Sequence, residues 1–431
     1  MVGTARIQAQ LTPPRKMPYF TVLDGWRGIS ILLVLATHML PIGPSSWNLN
    51  EAVGRVGMSI FFTLSGFLIT MTLMYRPNIK NFLIRRIFRI LPLAWAFLVV
   101  ALPLISPSLQ SALAHIFFYA NNHPPYLLEN ELTTHYWSLC MEIQFYLFIA
   151  FLYSIFKDRG LILLVPLCLF FTGCRIFSGE ISSMVTPFRV DEIFVGCCLA
   201  LAIENRLGSW LPSFFSKINP IFPLVLLFLA SHSAFQELNY FRAYIAVTVV
   251  GSTVYQEKSR LSLWLKSKKL KYIAQISYAL YVIHPLTYHG WLGSGDTLVK
   301  YAKRPISFAL SFGLAHLSTF YYESYWIKLA KRLTSQKPDK IASKPAASQE
   351  YRVDIDPIEP LQILPRGSSD SLTRLEPNQQ NASFSDYDLT QIKEYCLLLF
   401  DNGSTIGEIA ETTGLSPAIV QSWIEQTSSK K

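Results

Sequence analysis

Ten blocks of about twenty mostly apolar residues constrain the fold of this chain more than any other feature of its sequence. A helix of roughly 20 apolar residues crosses the hydrocarbon core of a bilayer and pairs its own backbone polar groups there. Of the side chains, 51% are hydrophobic and 15% are charged, which is too apolar for an ordinary soluble enzyme. The chain is therefore predicted to be an all-α, polytopic membrane protein. Its expected spans are 21–41, 53–75, 90–107, 136–156, 160–178, 188–204, 219–236, 239–256, 272–290 and 305–327.

Lysine and arginine are concentrated in alternate loops between these blocks. Basic loops stay on the cytoplasmic side during insertion, so this alternation predicts that both termini are cytoplasmic. One predicted outer loop breaks the pattern, because it contains Lys300, Lys303 and Arg304. The net charge of +10 then follows from membrane topology rather than from a nucleic-acid surface.

Composition divides the chain into four parts. Residues 1–18 are polar and are expected to be a flexible lead, and residues 19–330 form the membrane domain. Residues 331–385 are rich in Ser, Pro, Asp, Asn and Gln without apolar periodicity, which is typical of a disordered linker. Apolar residues return at helical spacing in residues 386–427, which are predicted to form a small helical module.

The segment TIGEIAETTGLSPAIVQSWIEQ in this module predicts a helix, a tight turn at Gly414 and a second helix. It resembles the helix-turn-helix modules of bacterial regulators. Residues 386–425 contain seven acidic residues against Lys393 alone, a net charge of −6, and an acidic face repels phosphates. The sequence favours a protein partner or self-association over DNA binding. Its predicted core is Ile406, Ile409, Ala410, Leu415, Ile419, Val420 and Trp423.

The first span contains three ionisable residues, and such residues inside a membrane are functional candidates because they are costly to bury. Asp24, Arg27 and His38 share one helical face. Arg27 and His38 are eleven residues apart, about 16 Å at 1.5 Å per residue, so they are too far apart to touch. They can line one path, with an anion-binding group near one end and a titratable group near the other. Snorkelling of Arg27 and a structural hydrogen bond of His38 remain the alternatives.

The fourth and ninth spans each carry a polar face. In HYWSLCMEIQFYLF, His135, Ser138 and Glu142 recur at i, i+3 and i+7, and the buried carboxylate needs a cationic or hydrogen-bonding partner. In ISYALYVIHP, Ser277, Tyr281 and His284 follow the same kind of spacing. We expect these faces to line a shared cavity, although any one of these residues can instead form a structural hydrogen bond between helices.

The second loop, FLIRRIFRILP, places Arg86 and Arg89 one helical turn apart at the membrane edge. They can bind lipid phosphate or the phosphates of a cytoplasmic nucleotide donor. The basic-loop rule alone also accounts for this cluster. No group of His or Cys residues has metal-ligand spacing, so no metal is expected.

Seven segments, in order, resemble the acyltransferase 3 family of integral membrane O-acyltransferases that acetylate bacterial surface glycans. They cover roughly residues 18–330 and read LDGWRGISILLVLATH, SIFFTLSGFLIT, FLIRRIFRILP, HYWSLCMEIQFYL, FRVDEIFVG, ISYALYVIHP and STFYYES. One departure concerns the fourth motif, where Ile143 stands in the place of a usual second acid. The acidic C-terminal module is also outside the family's common core.

The resemblance implies transfer of an acyl group, usually acetyl, from cytoplasmic acyl-CoA to a saccharide hydroxyl at the bacterial inner (plasma) membrane. Acyl-CoA is then a co-substrate and no bound cofactor is expected. The resemblance also implies that Arg27 and His38 are required, with Arg86, Arg89 and Glu142 in supporting motifs. Together with the residue patterns above, it predicts His38, Glu142 and Asp24 as catalytic residues and Arg27, Arg86 and Arg89 as donor-binding residues. Supporting positions are Ser138, Trp137, Arg189, Asp191, Ser277, Tyr278, Tyr281, His284 and Glu323.

The resemblance leaves the role of His38 open. A neutral imidazole can take the proton of the acceptor hydroxyl, or it can carry the acyl group transiently. Asp24 or Glu142 is expected to orient the imidazole. Two rival functions remain: a glycan or lipid transporter without chemistry, and a membrane-tethered regulator that uses its C-terminal module. The acceptor itself is not readable from the sequence.

Overall fold

A computed structural model describes residues 17–122, 126–127, 130–335, 400, 405–413 and 416–428. The predicted lead, most of the predicted linker and the first part of the C-terminal module lie largely outside these residues. The described residues form helices and no β-strand. They fall into two compact units, Met1–Ala342 and Ser343–Lys431.

The first unit contains the apolar blocks, and each of the ten predicted spans contains a helix. The helices are α1 Thr21–Met39, α2 Leu49–Tyr75, α3 Ile79–Ile105, α4 Leu109–Ile116, α5 Tyr136–Phe156, α6 Asp158–Ile162, α7 Leu164–Phe177, α8 Asp191–Ile203, α9 Trp210–Lys217, α10 Ile221–Ser231, α11 Gln236–Asn239, α12 Arg242–Tyr255, α13 Arg260–Leu265, α14 Lys268–Ile283, α15 Thr297–Ala302, α16 Arg304–Leu317 and α17 Ser324–Thr334. A π-helical turn, Ser318–Glu323, joins α16 to α17. Short 3₁₀ turns are Ser45–Trp47, Ala120–Asn122, Thr186–Phe188, His284–Thr287 and Gly290–Gly293.

Five helical segments among the described residues are long and apolar enough to cross a membrane: α1, α2, α3, α5 and the continuous pair α6–α7. The pair α9–α10, bent by 92°, gives a sixth if it is one broken span. The remaining helices in the predicted spans are 13 to 16 residues long, such as α8 and α14. The chain is thus a multi-pass membrane protein, and the total of ten spans stays a prediction.

The core of this unit forms where α1, α2, α8 and α14 pack together. Glycines set the closest contacts. A Cβ at Gly66 of α2 would lie 1.9 Å from the Ile193 carbonyl oxygen, and a Cβ at Gly196 of α8 would lie 1.9 Å from the Thr63 carbonyl oxygen. The two backbones therefore touch at a reciprocal pair of glycines, where no larger residue fits.

In the second unit, the described residues include two helices, α18 Ile406–Thr413 and α19 Pro417–Ser428. They pack through Ile409, Ala410, Val420 and Ile424, with Ile406 and Trp423 at the edge of this small core. Ile419 is exposed, so its predicted core position is wrong, because it faces away from α18. The predicted turn at Gly414 and Leu415 lies outside the described residues, and the helix-turn-helix assignment stays a prediction.

Candidate active site

Helix α1 carries Arg27 and His38 at opposite ends of one face, as their spacing predicts. The sequence around Arg27 explains how this end is held. A Cβ at Gly25 would lie 2.2 Å from the Leu265 carbonyl oxygen, and a Cβ at Gly28 would lie 2.7 Å from that of Leu270. The missing side chains let α1 pack directly on the backbone near the start of α14.

Arg27 lies among other charged side chains at its end of α1. The charges of Arg89, Glu142 and Arg86 act on the Arg27 guanidinium. We call these four residues the arginine cluster. The cluster contains three guanidinium groups and one carboxylate, and its positive charge stays in excess when Glu323, which interacts with Arg89, is counted as well. A bound polyanion would balance this excess.

Glu142 is held by hydroxyl groups rather than by a direct ion pair. Ser65 donates a hydrogen bond of 2.8 Å to its Oε1, and Tyr146 donates a second one. Arg86 lies over the ring of Tyr146, with its Cζ 5.8 Å from the centroid, and donates to Thr72 at 3.4 Å. Glu142, the single acid of the fourth motif, therefore positions the Tyr146 ring against which Arg86 packs.

Asp24 lies at the start of α1 and accepts a hydrogen bond from the Tyr19 hydroxyl. This hydrogen bond to the carboxylate, together with burial, raises the pKa of Tyr19 to about 12, so the phenol stays protonated. Asp24 is fourteen residues, about 21 Å, from His38 along the helix. The hypothesis that Asp24 orients the imidazole is therefore wrong, and Glu142 is turned toward the arginines instead.

His38 lies in a cluster of imidazole and phenol rings. Its ring centroid is 5.4 Å from that of His284 and 6.0 Å from that of Tyr288, and the His284 centroid is 5.4 Å from that of His135. The Nδ1 of His284 contacts the Tyr281 carbonyl oxygen at 2.7 Å. We call His38, His135, His284 and Tyr288 the histidine cluster.

Several nitrogen atoms of the histidine cluster are buried without a protein partner. Both ring nitrogens of His135 and the Nε2 of His284 make no hydrogen bond with any residue that the structure describes. A buried polar atom without a partner is costly, so such atoms mark positions where a ligand or water completes the site. These nitrogens surround the His38 imidazole with unused proton-accepting or proton-donating capacity.

A cavity of about 450 Å³ opens at the histidine cluster, and the exposed imidazole of His38 forms part of its wall. This volume is within the usual range for small-molecule sites. The lining combines polar side chains with a glycine-containing segment. It comprises Thr37, His38, Glu131, Thr134, Tyr288, His289, Gly290, Gly293, Ser294, Lys300 and Arg304.

Ser138 and Tyr281 connect the two ends of the site. The Ser138 and Tyr281 hydroxyls are 2.5 Å apart, and Tyr281 donates to the His135 carbonyl oxygen at 2.7 Å. Ser138 lies one turn from His135 and one turn from Glu142 on α5. The polar faces predicted for α5 and α14 therefore meet between the arginine cluster and the histidine cluster.

Two predicted site residues on α14 are engaged with backbone carbonyls instead. Ser277 donates to the Ala274 carbonyl oxygen at 2.8 Å, within its own helix. Tyr278 donates to the Ile90 carbonyl oxygen of α3 at 2.6 Å. Neither residue is part of the cavity lining. The Tyr278 contact joins α14 to α3, which is the interhelical role that the sequence left open, whereas the Ser277 contact stays within α14.

Arg189 and Asp191 belong to a buried ionic network around α8. Arg175 contacts Asp191 at 3.0 Å, and Glu192 contacts Arg242 at 2.6 Å and Arg189 at 3.4 Å. Every side chain of this network is at least nine-tenths buried. Arg189 also lies over the ring of Trp137, with its Cζ 4.5 Å from the centroid. These two predicted supporting residues thus lie in a network that holds α7, α8 and α12 together.

Glu323, at the end of the π-helical turn, is buried and accepts hydrogen bonds from Ser318 at 3.2 Å and from Thr319 at 3.1 Å. The charge of Arg89 acts on its carboxylate. Glu323 therefore adjoins the arginine cluster from the side of α16 and α17. The π-turn widens the helix so that one carboxylate accepts from two neighbouring hydroxyls.

A smaller cavity, of about 260 Å³, lies near Arg85 and is lined by residues of α2, α3 and α17. Arg85 donates to the Thr334 hydroxyl at 2.8 Å. Thr72, the partner of Arg86, is part of this lining. No three His, Cys, Asp or Glu side chains among the described residues are placed to hold a metal ion.

Sequence reasoning missed several residues around His38. His135 was noted on the face of α5 but not assigned to the site, and Tyr288 and His289 were not singled out. Lys300 and Arg304 carried a usable signal, because they violate the basic-loop rule. A cation retained on the unfavoured side of the membrane indicates a local use for its charge.

Comparisons with known proteins agree with this architecture. The family model described as the acyltransferase domain matches residues 20–323, more than half of the chain. The chain belongs to this family, the acyltransferase 3 family.

Two curated relatives are O-acetyltransferases by name. Peptidoglycan O-acetyltransferase OatA of Listeria monocytogenes is 27% identical over 317 residues, which cover 62% of this chain and 49% of that protein. O-acetyltransferase OatA of Staphylococcus aureus is 30% identical over 222 residues, which cover 42% of this chain and 34% of that protein. The chain thus spans half or less of the length of these relatives. No solved structure matches it.

Proposed function

We propose that this protein transfers an acetyl group from acetyl-CoA to a hydroxyl of a cell-envelope saccharide. One observation carries the proposal: the His38 imidazole forms part of the wall of a cavity of about 450 Å³, beside two further histidines. A neutral imidazole exposed to a substrate-sized cavity can accept the proton of a hydroxyl, which is what acyl transfer to that hydroxyl requires. The names of the curated relatives support a peptidoglycan-like glycan as the acceptor.

The arginine cluster is the proposed donor site. Acyl-CoA carries its phosphates and its thioester at opposite ends of a flexible arm. Arg27, Arg86 and Arg89 have charge in excess of Glu142, and guanidinium groups bind phosphate in a bidentate manner. With the phosphates there, the arm would follow Ser138 and Tyr281 toward His38, about 16 Å from Arg27 along α1.

In the proposed reaction, the acceptor hydroxyl lies in the cavity beside His38. The imidazole takes the hydroxyl proton as the oxygen attacks the thioester carbonyl, a carbon–oxygen bond forms, the carbon–sulfur bond breaks, and the CoA thiolate leaves. His284 and His135 adjoin His38 and have unused nitrogens that can pass the proton onward. A two-step route, in which His38 first takes the acetyl group, uses the same contacts.

The proposed location is the bacterial plasma membrane, with both termini cytoplasmic and the histidine cluster toward the outer face. The basic loops support this orientation. Residues 386–427 are proposed to bind a protein partner or a second copy of the chain, since their net acidity disfavours DNA. A chain lacking residues 343–431 should therefore keep transfer activity, whereas a membrane-tethered regulator would lose its output.

The test compares His38→Ala with His316→Ala in purified protein and follows labelled acetyl transfer from acetyl-CoA to peptidoglycan fragments. His316 contacts the Tyr272 hydroxyl at 3.0 Å, away from the cavity, so its loss is a matched control. We expect His38→Ala to lower the rate by about 10² to 10⁴-fold. Retained transfer by a correctly inserted His38→Ala protein would overturn the proposal. Transport of a glycan by the unchanged protein without any acetylation would favour the transporter.

A further inference from the structure

The cavity at His38 contains cationic side chains that the proposed reaction does not use. Lys300 and Arg304 both line it. Acetyl transfer to a neutral sugar hydroxyl needs no cation at this end of the site, because the donor phosphates are assigned to the arginine cluster. The proposed reaction therefore gives no role to Lys300 and Arg304.

Arg304 is buried, with 4% of its surface exposed. Its Nε and Nη1 have no hydrogen-bond partner in the part of the chain that the structure describes. The guanidinium lies against two aromatic rings, with its Cζ 5.5 Å from the centroid of Tyr288 and 5.8 Å from that of Tyr301. A buried cation with unused donors is costly unless a ligand completes it.

Tyr288 connects this cation to the catalytic candidate. Its ring is stacked on the His38 ring, with centroids 6.0 Å apart and planes inclined by 7°, and Arg304 lies against the same ring. A ligand group bound by Arg304 is therefore one aromatic ring away from the imidazole. That separation suits a single small substrate that contacts both residues.

The charges around the cavity favour an anion. Glu131 is the acidic residue of the lining, and its side chain is 93% exposed and lies 3.7 Å from the Nε2 of His289. It is thus directed toward His289 and solvent. Lys303, the neighbouring cation, is directed elsewhere and donates to the carbonyl oxygens of Trp291 and Ser294. Lys300 and Arg304 are therefore the two cations of the lining that are placed to contact a ligand inside the cavity.

We propose that Arg304, assisted by Lys300, binds an oxyanion carried by the saccharide acceptor, either a carboxylate or a phosphate, and so presents the acceptor hydroxyl to His38. Planar guanidinium donors match both oxyanions. This inference rests on the proposed function and adds an acidic saccharide as the substrate class. The surroundings of Gly290 are compatible with this, because a Cβ there would meet only open space, so the cavity has room for a sugar ring beside it.

The experiment uses the full chain purified in lipid nanodiscs and three small sugars: methyl glucuronide, its neutral methyl ester, and glucose 6-phosphate. Binding is measured by saturation-transfer NMR, and acetyl transfer from labelled acetyl-CoA is measured in parallel. For the unchanged protein we expect at least about tenfold tighter binding, and a correspondingly lower KM, for one of the charged sugars than for the ester. The preferred charged sugar distinguishes a carboxylate site from a phosphate site.

Three variants assign this preference to residues. Arg304→Gln should abolish the preference for the charged sugar over the methyl ester, and Arg304→Lys should restore part of it. Lys300→Gln should reduce it by a smaller factor. Lys303→Gln removes the same charge from the adjacent position and should leave the preference within about twofold, which separates direct contact from a long-range field.

The possible failures are distinguishable. Equal binding of acid, phosphate and ester by the unchanged protein would overturn the oxyanion site, even if acetyl transfer to the ester is retained. Preferential binding of a charged sugar that depends on Arg304, without acetyl transfer to any sugar, would support the oxyanion site and overturn the proposed function. If Arg304→Gln lowers the melting temperature, the oxyanion site is judged from two other measurements. These are the charged-sugar preference of Arg304→Lys and the binding of the three sugars by the unchanged protein.

Discussion

The ionic network around α8 and the histidine cluster are both buried polar regions of one membrane protein, but their polar side chains have different partners. In the network, Asp191 and Glu192 each have an arginine within 3.0 Å. In the cluster, His135 and His284 have ring nitrogens without partners in the described part of the chain. The network also keeps polar atoms without a hydrogen bond, on Arg175, Arg189 and Glu192, so the two regions differ in charge pairing and in the presence of a cavity. Opposite charges that pair inside the protein stabilise helix packing, whereas polar rings beside a cavity are placed to contact a ligand.

The largest expected effect follows from breaking a pair in the network. Glu192→Gln would leave Arg242 as a buried charge that has lost its carboxylate partner at 2.6 Å. We expect a loss of about 3–5 kcal/mol in stability, measured as thermal unfolding in detergent. Glu257→Gln removes a carboxylate from the exposed Lys266 pair and should cost about 1 kcal/mol or less. Equal effects of the two substitutions would contradict the assignment of the network to stability.

In the histidine cluster we expect a substitution to lower activity without lowering stability. His284→Gln removes the imidazole beside His38 but keeps a similar volume and a polar end. We expect kcat to fall by about tenfold to a hundredfold, with a melting temperature close to that of the unchanged protein. A parallel fall in melting temperature and activity would instead assign His284 to packing.

The arginine cluster should respond in its affinity for the donor. Arg89→Gln removes one of three cations that face Glu142, and we expect the KM for acetyl-CoA to rise by about tenfold with little change in kcat. Arg85→Gln is a control of the same charge change, since Arg85 is directed toward the Thr334 hydroxyl. A KM that rises equally in both variants would remove the specific donor role of Arg89.

The smallest effect is expected at a helix-holding hydrogen bond. Tyr278→Phe removes the donor to the Ile90 carbonyl oxygen, which should cost about 1 kcal/mol of stability and leave KM and kcat unchanged. Tyr281→Phe is the comparison, because Tyr281 contacts Ser138 and adjoins His135 and His284. If Tyr278→Phe altered catalysis more than Tyr281→Phe, the division between helix-holding and site-lining residues on α14 would be wrong.

The sequence predicted the features that depend on local periodicity. Apolar blocks predicted where helices occur, and helical spacing predicted that Arg27 and His38 lie at opposite ends of one face. The family match over residues 20–323 confirms the predicted family. The roles of Arg27, Glu142 and His38 stay predictions until the variants are measured.

The features that sequence reasoning missed depend on contacts between distant segments. Periodicity on α5 relates His135 to Glu142, but it carries no information that His135 faces His284 of a later segment. The position of Arg304 against Tyr288 is a tertiary contact of the same kind. Asp24 is a different case, because the axial rise of about 1.5 Å per residue already places it too far from His38, and that comparison needs only the sequence.

The reciprocal contact of Gly66 and Gly196 has a mechanical consequence. Two helices whose backbones touch have no side-chain layer between them that could rearrange, so α2 and α8 move as one rigid block. Substrate-sized space is found elsewhere, in the cavity at His38, whose lining includes Gly290 and Gly293. The contact of Gly66 with Gly196 is thus a fixed frame for the residues that α2 and α8 carry.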